Sequence, residues 1–465
     1  MLSWNTKSSL YEPNLHDINQ SEILHIGFDD TDSLEGKCTT HLAFKITRFL
    51  LDNSDAQFID YPLLVRLNPN IPMKTRGNGA VCLRIKAKDH EKIIQELRLI
   101  VEKESAINNG ANPGVVFLNG NPIPKMIKDF GAIALYDVQS RQIAEKVAKK
   151  HCMSYFTFGN GQGIVGSLAA IGSLEEGDYT YEVIAYRTRD NCGTYRQINV
   201  TSVINYDNRT FPYTFNNYDQ THRRVLIAPH GPDPVFCGIR GESPEIVVSS
   251  LNSLCVEESL EGYMVFRSNQ GTDMHLQNQL QLSSIRPYMS GYVVGTVTTT
   301  PQVIQGGHLF FAVEDTSGTS RPVAVYEPTG ITHIASQLER GDTIQIGCGV
   351  HLSNTASQVI LNVEYISILS IVQTYDLSNP LCTFCRKKMK SEGRNKGFQC
   401  DKCKYRNINA KKIPIPHKRS IQPGLYIPTP KSRRHLTKPP HRYGIEKSSW
   451  SRPNAELIKG WFRLL

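Results

Sequence analysis

The sequence predicts a multidomain α+β chain. Strand and helix periodicities mix over residues 23–101, five strand candidates crowd residues 291–370, and two cysteine pairs follow Pro380. At 465 residues the chain is long enough for three or four domains of about 150 residues each. Hydrophobic residues make up 40% and charged residues 20%, enough apolar material for several cores. No run approaches the roughly 18 apolar residues that a membrane helix needs. The opening MLSWNTKSSLYEPNLHDINQ lacks an apolar signal-peptide core. The expectation is a soluble, cytoplasmic protein with no membrane partner.

Residues 23–28, ILHIGF, read as a short buried strand with Asp29, Asp30, Thr31 and Asp32 at its end. A helix begins near Thr39 or Thr40, because Leu42, Ile46, Phe49 and Leu50 recur at helical spacing. Residues 79–88 alternate: Val81, Leu83, Ile85 and Ala87 face one way, Arg84, Lys86 and Lys88 the other. That is the pattern of a half-buried strand. Ile93, Ile94, Leu97, Ile100 and Val101 mark a second amphipathic helix, so this part reads as α/β or α+β. Further on, GYVVGTVT, HLFFAVEDT, RPVAVYEP, DTIQIGCGV and VILNVEYISIL give five strands, with a helix, ITHIASQLER, between the third and fourth. This order fits an OB-fold, a small β-barrel that often binds oligonucleotides. Another small barrel or sandwich would show a similar run. Past Cys403 little periodicity remains, and the expectation is a largely irregular tail that orders on RNA.

The net charge of +9 hides an asymmetry. From Cys382 to Leu465 there are 22 Lys and Arg against 4 Asp and Glu; the rest of the chain carries 30 against 39. A basic end suits phosphate backbones, because neutralising phosphates releases counterions. It suits solubility or another anionic surface as well. Seven of the eleven cysteines (Cys38, Cys82, Cys152, Cys192, Cys237, Cys255, Cys348) are scattered and odd in number, which argues for a reducing compartment.

The other four are the most specific local signal. Cys382-x-x-Cys385 and Cys400-x-x-Cys403 can surround one Zn²⁺ tetrahedrally from two knuckles. Four sulfurs close the site, so its role is structural, and its metal carries the folding of a segment too short for its own core. Arg386, Lys387, Lys388, Lys390, Arg394 and Lys396 surround it, which points to nucleic acid or to a protein-interaction ribbon.

The phosphate chemistry lies near the N-terminus. GFDDTDS places Asp29, Asp30 and Asp32 at a strand end, where Mg²⁺ could neutralise them with help from substrate phosphates. Gly36-Lys37-Cys38-Thr39-Thr40 opens a helix whose free N–H groups could hold a phosphate, with Thr39 or Thr40 as the cap. An acidic turn before a capped helix would read the same way. In RLNPNIPMKTRGNGAV, Lys74 and Arg76 bring positive charge, and Gly77 and Gly79 flank Asn78 just before a strand. Cations beside phosphates stabilise the charge that moves in phosphoryl transfer. No Walker A, protein-kinase or dinucleotide signature is present. A fourth loop, Gly159-Asn160-Gly161-Gln162-Gly163, is alone a weak signal and more often marks close helix packing.

These clusters, in this order, resemble the archaeal tRNA(Ile) 2-agmatinylcytidine synthetase (TiaS) family. The matching segments include IGFDDTDS, GKCTTHLAF, VRLNPNIPMKTRGNGAV, GQGIVGSLAAIG, YEVIAYR, PDPVFCGIRGES, the four cysteines and RRHLTKP, from about residue 22 to 440. The resemblance implies a kinase-like ATP-binding domain (22–157), a ferredoxin-like domain (158–285), the OB-fold (286–372) and a zinc ribbon (380–408). An N-terminal extension (1–21) and a basic tail (409–465) flank them. It implies that ATP is cleaved to AMP and two phosphates, and that the wobble cytidine of the isoleucine tRNA with a CAU anticodon is phosphorylated and then joined to agmatine. By the same likeness Asp29, Asp30 and Asp32 serve metal and catalysis, Thr39 becomes phosphorylated, and Lys74, Arg76, Gly77, Asn78 and Gly79 bind ATP. Asp219, Arg240 and Glu242 are the candidates for agmatine. The chain departs from the pattern at His41, where a tyrosine is usual, and at both termini. Two alternatives compete: a single-strand-binding protein with an inert N-terminal half, and an ATP-dependent RNA modifier that uses another amine, such as lysine.

Overall fold

The computed structural model describes residues 9–11, 22–353, 358–448 and 457–465. The first unit runs β1 (Ser9–Tyr11), β2 (Ile23–Asp29), α1 (Thr39–Asn53), β3 (Gln57–Phe58), β4 (Leu63–Arg66) and β5 (Gly79–Lys86). It continues through α2 (His90–Glu104), β6 (Gly114–Asn119), α3 (Lys125–Ile133), α4 (Arg141–Lys150), β7 (Ser154–Thr157) and α5 (Ile164–Gly172). The second unit holds β8 (Thr180–Arg187), α6 (Val200–Thr210), β9 (Thr214–Phe215), the hairpin β10 (Tyr218–Asp219) and β11 (Arg224–Val225), β12 (Val235–Gly241), α7 (Pro244–Ser249) and β13 (Leu260–Ser268).

Apart from the β10–β11 hairpin, these strands share one sheet, in the order β1-β7-β6-β2-β5-β4-β13-β8-β12-β9, with β3 beside β5. The two units meet at β4 and β13, which run parallel and align Leu63 and Leu64 with Arg267 and Ser268. Strand side chains alternate between faces. Leu24, Ile26, Phe28, Leu83 and Ile85 pack with apolar residues of α1 and α2, while Cys82, Val116 and Leu118 pack with those of α3, α4 and α5.

The alternation expected of β5 is present, but its second face is not open to solvent. Arg84 is only 1% exposed. It reaches Asp60 at 3.3 Å and Glu175 at 2.6 Å, and donates to the carbonyls of Ile171 and Ser173. Helix α5 and the chain after it cover that face, and a paired arginine stands inside it.

The barrel consists of β14 (Ser290–Val297), β15 (Gln302–Val303), β16 (Leu309–Glu314), β17 (Ser320–Val325), α8 (Thr332–Ala335), β18 (Thr343–Leu352) and β19 (Val359–Ser370). Five strands close in the order β14-β18-β19-β17-β16, and β16 pairs back onto β14. The β17–β19 pair is parallel. The ITHIASQLER stretch yields only the single turn α8, seated by buried Ile334 and Leu338.

The C-terminal segment is largely irregular in backbone, as expected, but it packs against the body through a few short strands. Ile413–Pro416 pairs with Tyr375–Ser378, Gly424–Tyr426 extends β19, and Phe462–Leu464 pairs with β13 beside the seam. Ile421 and Leu436 are buried. Much of the positive charge is spent internally: Arg419 on Asp342 (2.5 Å), Arg442 on Asp178 (2.9 Å) and Lys438 on Glu446 (2.9 Å). No helix among the described residues is long and apolar enough to cross a membrane.

A candidate nucleotide cavity at the seam and a cysteine metal centre

A cavity of about 430 Å³ opens where the two units meet. Its walls come from the end of β2, the start of α1, the loop before β5, the start of α5, strands β8 and β12, and His435 of the C-terminal segment. Asp29, Asp30, Asp32, Thr39, Lys74, Arg76, Gly77, Asn78, Gly79 and Arg240 all line it.

The acidic wall is tightly built. Asp29 lies so close to α5 that a Cβ on Gly166 would come within 1.9 Å of its Oδ2. Burial, reinforced by Asp30, pushes the Asp29 carboxyl up to about 8. Burial also raises Asp32 to about 6, although Arg76 opposes this, and raises Asp30 against hydrogen bonds from Asn112. A carboxyl raised by burial is returned to its charged form by a nearby cation. Among the described residues, however, only the four cysteines gather into a closed donor set. The three aspartates line one cavity without forming a cage. This donor set fits Mg²⁺ only where phosphate oxygens complete the coordination.

Arg76 ties the glycine loop to the acidic loop. Its Nη1 lies 3.8 Å from Asp32 Oδ2 and 3.5 Å from Asp233 Oδ2, and its Nη2 donates to Ser33 O at 2.8 Å. The Lys74 ammonium donates to Pro69 O, and Asn78 donates to Asn68 O at 2.8 Å. Asp30, Lys37 and Asn78 have φ of 57°, 59° and 49°. The two loops that build this wall, between β2 and α1 and between β4 and β5, thus hold three non-glycine residues in the left-handed region, where strain accumulates at functional sites.

Cys38 occupies the N-cap position of α1 but makes no capping hydrogen bond with its side chain. Thr39 and Thr40 therefore lie inside the first turn and do not cap it. The Thr39 hydroxyl accepts from Thr31 Oγ1 at 3.1 Å and faces the cavity beside the aspartates. An uncapped helix start leaves backbone donors and the positive dipole end available to an anion.

Of the three residues suggested for agmatine, the structure brings only Arg240 to the cavity. Asp219 is buried elsewhere, accepting from the Lys431 N–H at 3.0 Å and lying 2.9 Å from His222 Nδ1. Glu242 is taken by Arg442 and by Lys447, the latter at 2.9 Å. Conversely, Arg66, Glu182, Asp233 and His435 line the cavity without having been singled out, and so do Gln162, Gly163 and Gly166 of the loop read as helix packing. They lie in VRLNPNIP, YEVIAYR, PDPVF, GQGIVG and RRHLTKP, segments already noted for their likeness. A charge on a strand, such as Glu182, otherwise reads as solvent-facing.

In the ribbon, the sulfurs of Cys382, Cys385, Cys400 and Cys403 all lie within 4.8 Å of one another, with Cys385 and Cys400 3.5 Å apart. Zinc–sulfur bonds of about 2.3 Å in a tetrahedron require nearly this spacing. Three short strands, Lys390–Ser391, Phe398–Gln399 and Arg406–Asn407, carry the knuckles over a core of Cys382, Met389, Phe398 and Cys400.

Fold and site define a multidomain α+β protein with a charged cavity at the seam of its sheet, a closed five-stranded barrel and a cysteine zinc centre. Residues 25–160 match the TiaS TCKD domain, 161–275 the TiaS FLD domain and 379–421 the TiaS C-terminal zinc ribbon domain. The chain belongs to the TiaS family. The isoleucine-tRNA 2-agmatinylcytidine synthetase TiaS of Cenarchaeum symbiosum is 42% identical over 421 residues, 90% of this chain and 93% of the relative. A solved complex of TiaS with isoleucine tRNA and ATP superposes with a TM-score of 0.81 at 33% identity, covering 90% of this chain and 97% of that one. A complex of TiaS with isoleucine tRNA, AMPCPP and agmatine gives 0.78 at 31% identity, covering 91% and 98%.

Proposed function

We propose that this chain is an ATP-dependent ligase of the cytoplasm that joins agmatine to carbon 2 of the wobble cytidine of isoleucine tRNA with a CAU anticodon. The reading assigns residues 22–157 to a kinase-like unit, 158–285 to a ferredoxin-like unit and 286–372 to an OB-fold. The barrel's strand order and parallel β17–β19 pair support the last. One observation carries the functional reading: the acidic loop, Thr39 and the RGNG loop, separate in sequence, line the same cavity.

In this reading Asp29, Asp30 and Asp32 hold Mg²⁺, which neutralises phosphate charge when bound. Lys74, Arg76 and the backbone of Gly77, Asn78 and Gly79 grip the triphosphate. Thr39 receives a phosphoryl group beside them. ATP gives up two phosphoryl groups and remains as AMP; one goes to the cytidine carbonyl oxygen, which departs as phosphate when the amine of agmatine, losing a proton, bonds to carbon 2. The base must leave its stack to reach the cavity. The guanidinium end of agmatine wants a carboxylate; Asp233 lines the cavity and its Oδ2, 3.5 Å from Arg76, offers one. Arg240 carries the wrong charge for that contact, so its role lies elsewhere. The barrel and zinc ribbon grip the tRNA away from the cavity.

The test is to incubate the chain with ATP, Mg²⁺, agmatine and unmodified isoleucine tRNA and weigh the anticodon fragment. The mass of an agmatine adduct on the wobble nucleotide is expected. A lysine adduct in a competition mixture would redirect the amine, and no adduct would sink the reading. Asp30→Asn should abolish turnover while tRNA binding persists. Thr39→Ala should cut modification strongly; full activity in either variant would remove that residue from the machinery.

A further inference from the structure

The basic wall of the cavity holds a cation with no ion pair of its own, opposed only at longer range by Glu182 and Asp32. Arg66, at the end of β4, lines the cavity, and its Nε is buried without a hydrogen-bond partner. Its guanidinium makes no ion pair among the described residues. Glu182, the nearest acid of this wall, is already engaged: Oε1 accepts from Arg240 Nε at 3.1 Å and Oε2 accepts from Gln270. Two guanidiniums thus share one carboxylate. A half-buried guanidinium left with only a share of one carboxylate is costly, and an incoming anion would relieve that cost.

His435 stands between them. Its Nδ1 lies 3.2 Å from Arg240 Nη2, a group that can only donate. The Nδ1 atom must therefore accept, and the ring proton sits on Nε2. A second proton would face two guanidiniums, and Arg66 together with burial holds the imidazole well below its ordinary value. Nε2 has no partner among the described residues and lies against the glycine loop, 3.1 Å from where a Cβ of Gly77 would stand. That Cβ would also come within 2.7 Å of Arg66 Nη1, and one on Gly79 within 2.9 Å. Neither glycine has a positive φ. The glycines of RGNG thus make room for Arg66 and His435 and do not serve a special backbone conformation.

We propose that Arg66, Arg240 and His435 form a phosphoryl-binding subsite in the cavity that also holds Asp29, Asp30 and Asp32, with His435 delivered by the segment that follows the zinc ribbon. It deepens the proposed reaction, since the phosphoryl groups that reaction moves are the anions the subsite would hold. A nucleotide phosphate and a phosphorylated base share this chemistry, and kinetics separate them.

The experiment uses the full chain. Binding of inorganic pyrophosphate is titrated calorimetrically with no tRNA, agmatine or Mg²⁺ present, so the result stands apart from the agmatine reading. Arg66→Met should weaken pyrophosphate about tenfold or more, the loss of a charge-assisted contact. It should leave the melting temperature unchanged or raised, because no ion pair is broken. Gly77→Ala, whose new methyl displaces Arg66, should weaken pyrophosphate similarly, and the double variant should be no worse than either single one. His435→Gln, which keeps a donor, should retain more affinity than His435→Phe. In turnover, a raised KM for ATP assigns the subsite to the nucleotide; a reduced kcat at unchanged KM assigns it to the phosphorylated base. Wild-type pyrophosphate affinity in Arg66→Met overturns the proposal, whether or not that variant is destabilised. If Arg66→Met does not fold, wild-type affinity in both Gly77→Ala and His435→Phe overturns it.

Discussion

The zinc ribbon and the seam cavity are two ways of fixing polar groups in space. The ribbon takes all four ligands from residues 382–403 and has a core of four buried side chains, two of them ligands. Its order depends on the metal. The cavity takes its walls from Asp29 to His435 and is held by buried ion pairs that join distant segments. Asp60 accepts from both Arg84 and Arg267 across the parallel seam, and Arg442 spans Asp178 and Glu242. A module held by one ion can be melted alone, whereas a site held by long-range pairs loses its shape when any clamp opens.

Removing zinc should break this comparison most visibly. Structural zinc in small folds is worth on the order of 10 kcal/mol, so chelation or Cys400→Ser should unfold residues 380–408 completely. Limited proteolysis should then cut the ribbon, and tRNA affinity should fall. The cavity should survive, because the following segment has its own anchors in Ile421 and the Arg419–Asp342 pair. Loss of pyrophosphate binding on chelation would show instead that the ribbon holds His435 in place. The next effect in size comes from the clamp itself. Arg442→Met leaves buried Asp178 without its cation and Glu242 with Lys447 alone, a defect worth about 3–5 kcal/mol. Calorimetry should show a lower melting temperature. Adding Asp178→Asn and Glu242→Gln should recover most of it, since the defect is unpaired charge and not lost volume.

The same contrast explains what could be read from sequence. Two C-x-x-C pairs state a metal site outright, because all the ligands are local. Alternation and helical spacing reveal β2, β5, α1 and α2, because each buries a face set by near neighbours. The seam has no such signal: Leu63 finds Arg267 only once the whole intervening unit has folded. Arg84 sits in the polar phase of an alternating strand and reads as exposed, yet Asp60 and Glu175 meet it inside. Glu242, at the end of β12, looks like a free acid until Arg442 arrives from 200 residues further on. Arg66 and His435 face each other across the RGNG loop from opposite ends of the chain, and nothing local to either declares the pairing.

The smallest expected effect probes where barrel and body are clamped together. Glu364 of β19 lies 3.0 Å from His275 and 3.5 Å from Arg434, so one carboxylate joins the barrel to the body and to the C-terminal segment. Burial opposes its charge, but Arg434 and His275 outweigh burial and hold it down at about 2. A carboxylate lowered in the folded state contributes stability that is present above its unfolded value and is lost as pH falls toward its folded value. The unfolded value is about 4.3. The gap is worth about 3 kcal/mol at neutral pH. The melting-temperature difference between wild type and Glu364→Gln should therefore be constant from pH 7 down to about 5, then shrink steadily toward pH 2. A difference that grew on acidification would mean that the clamp does not depend on the charged carboxylate. It would then rest on the neutral contacts of Asn68 and Asn70 with Tyr288 and Ser290.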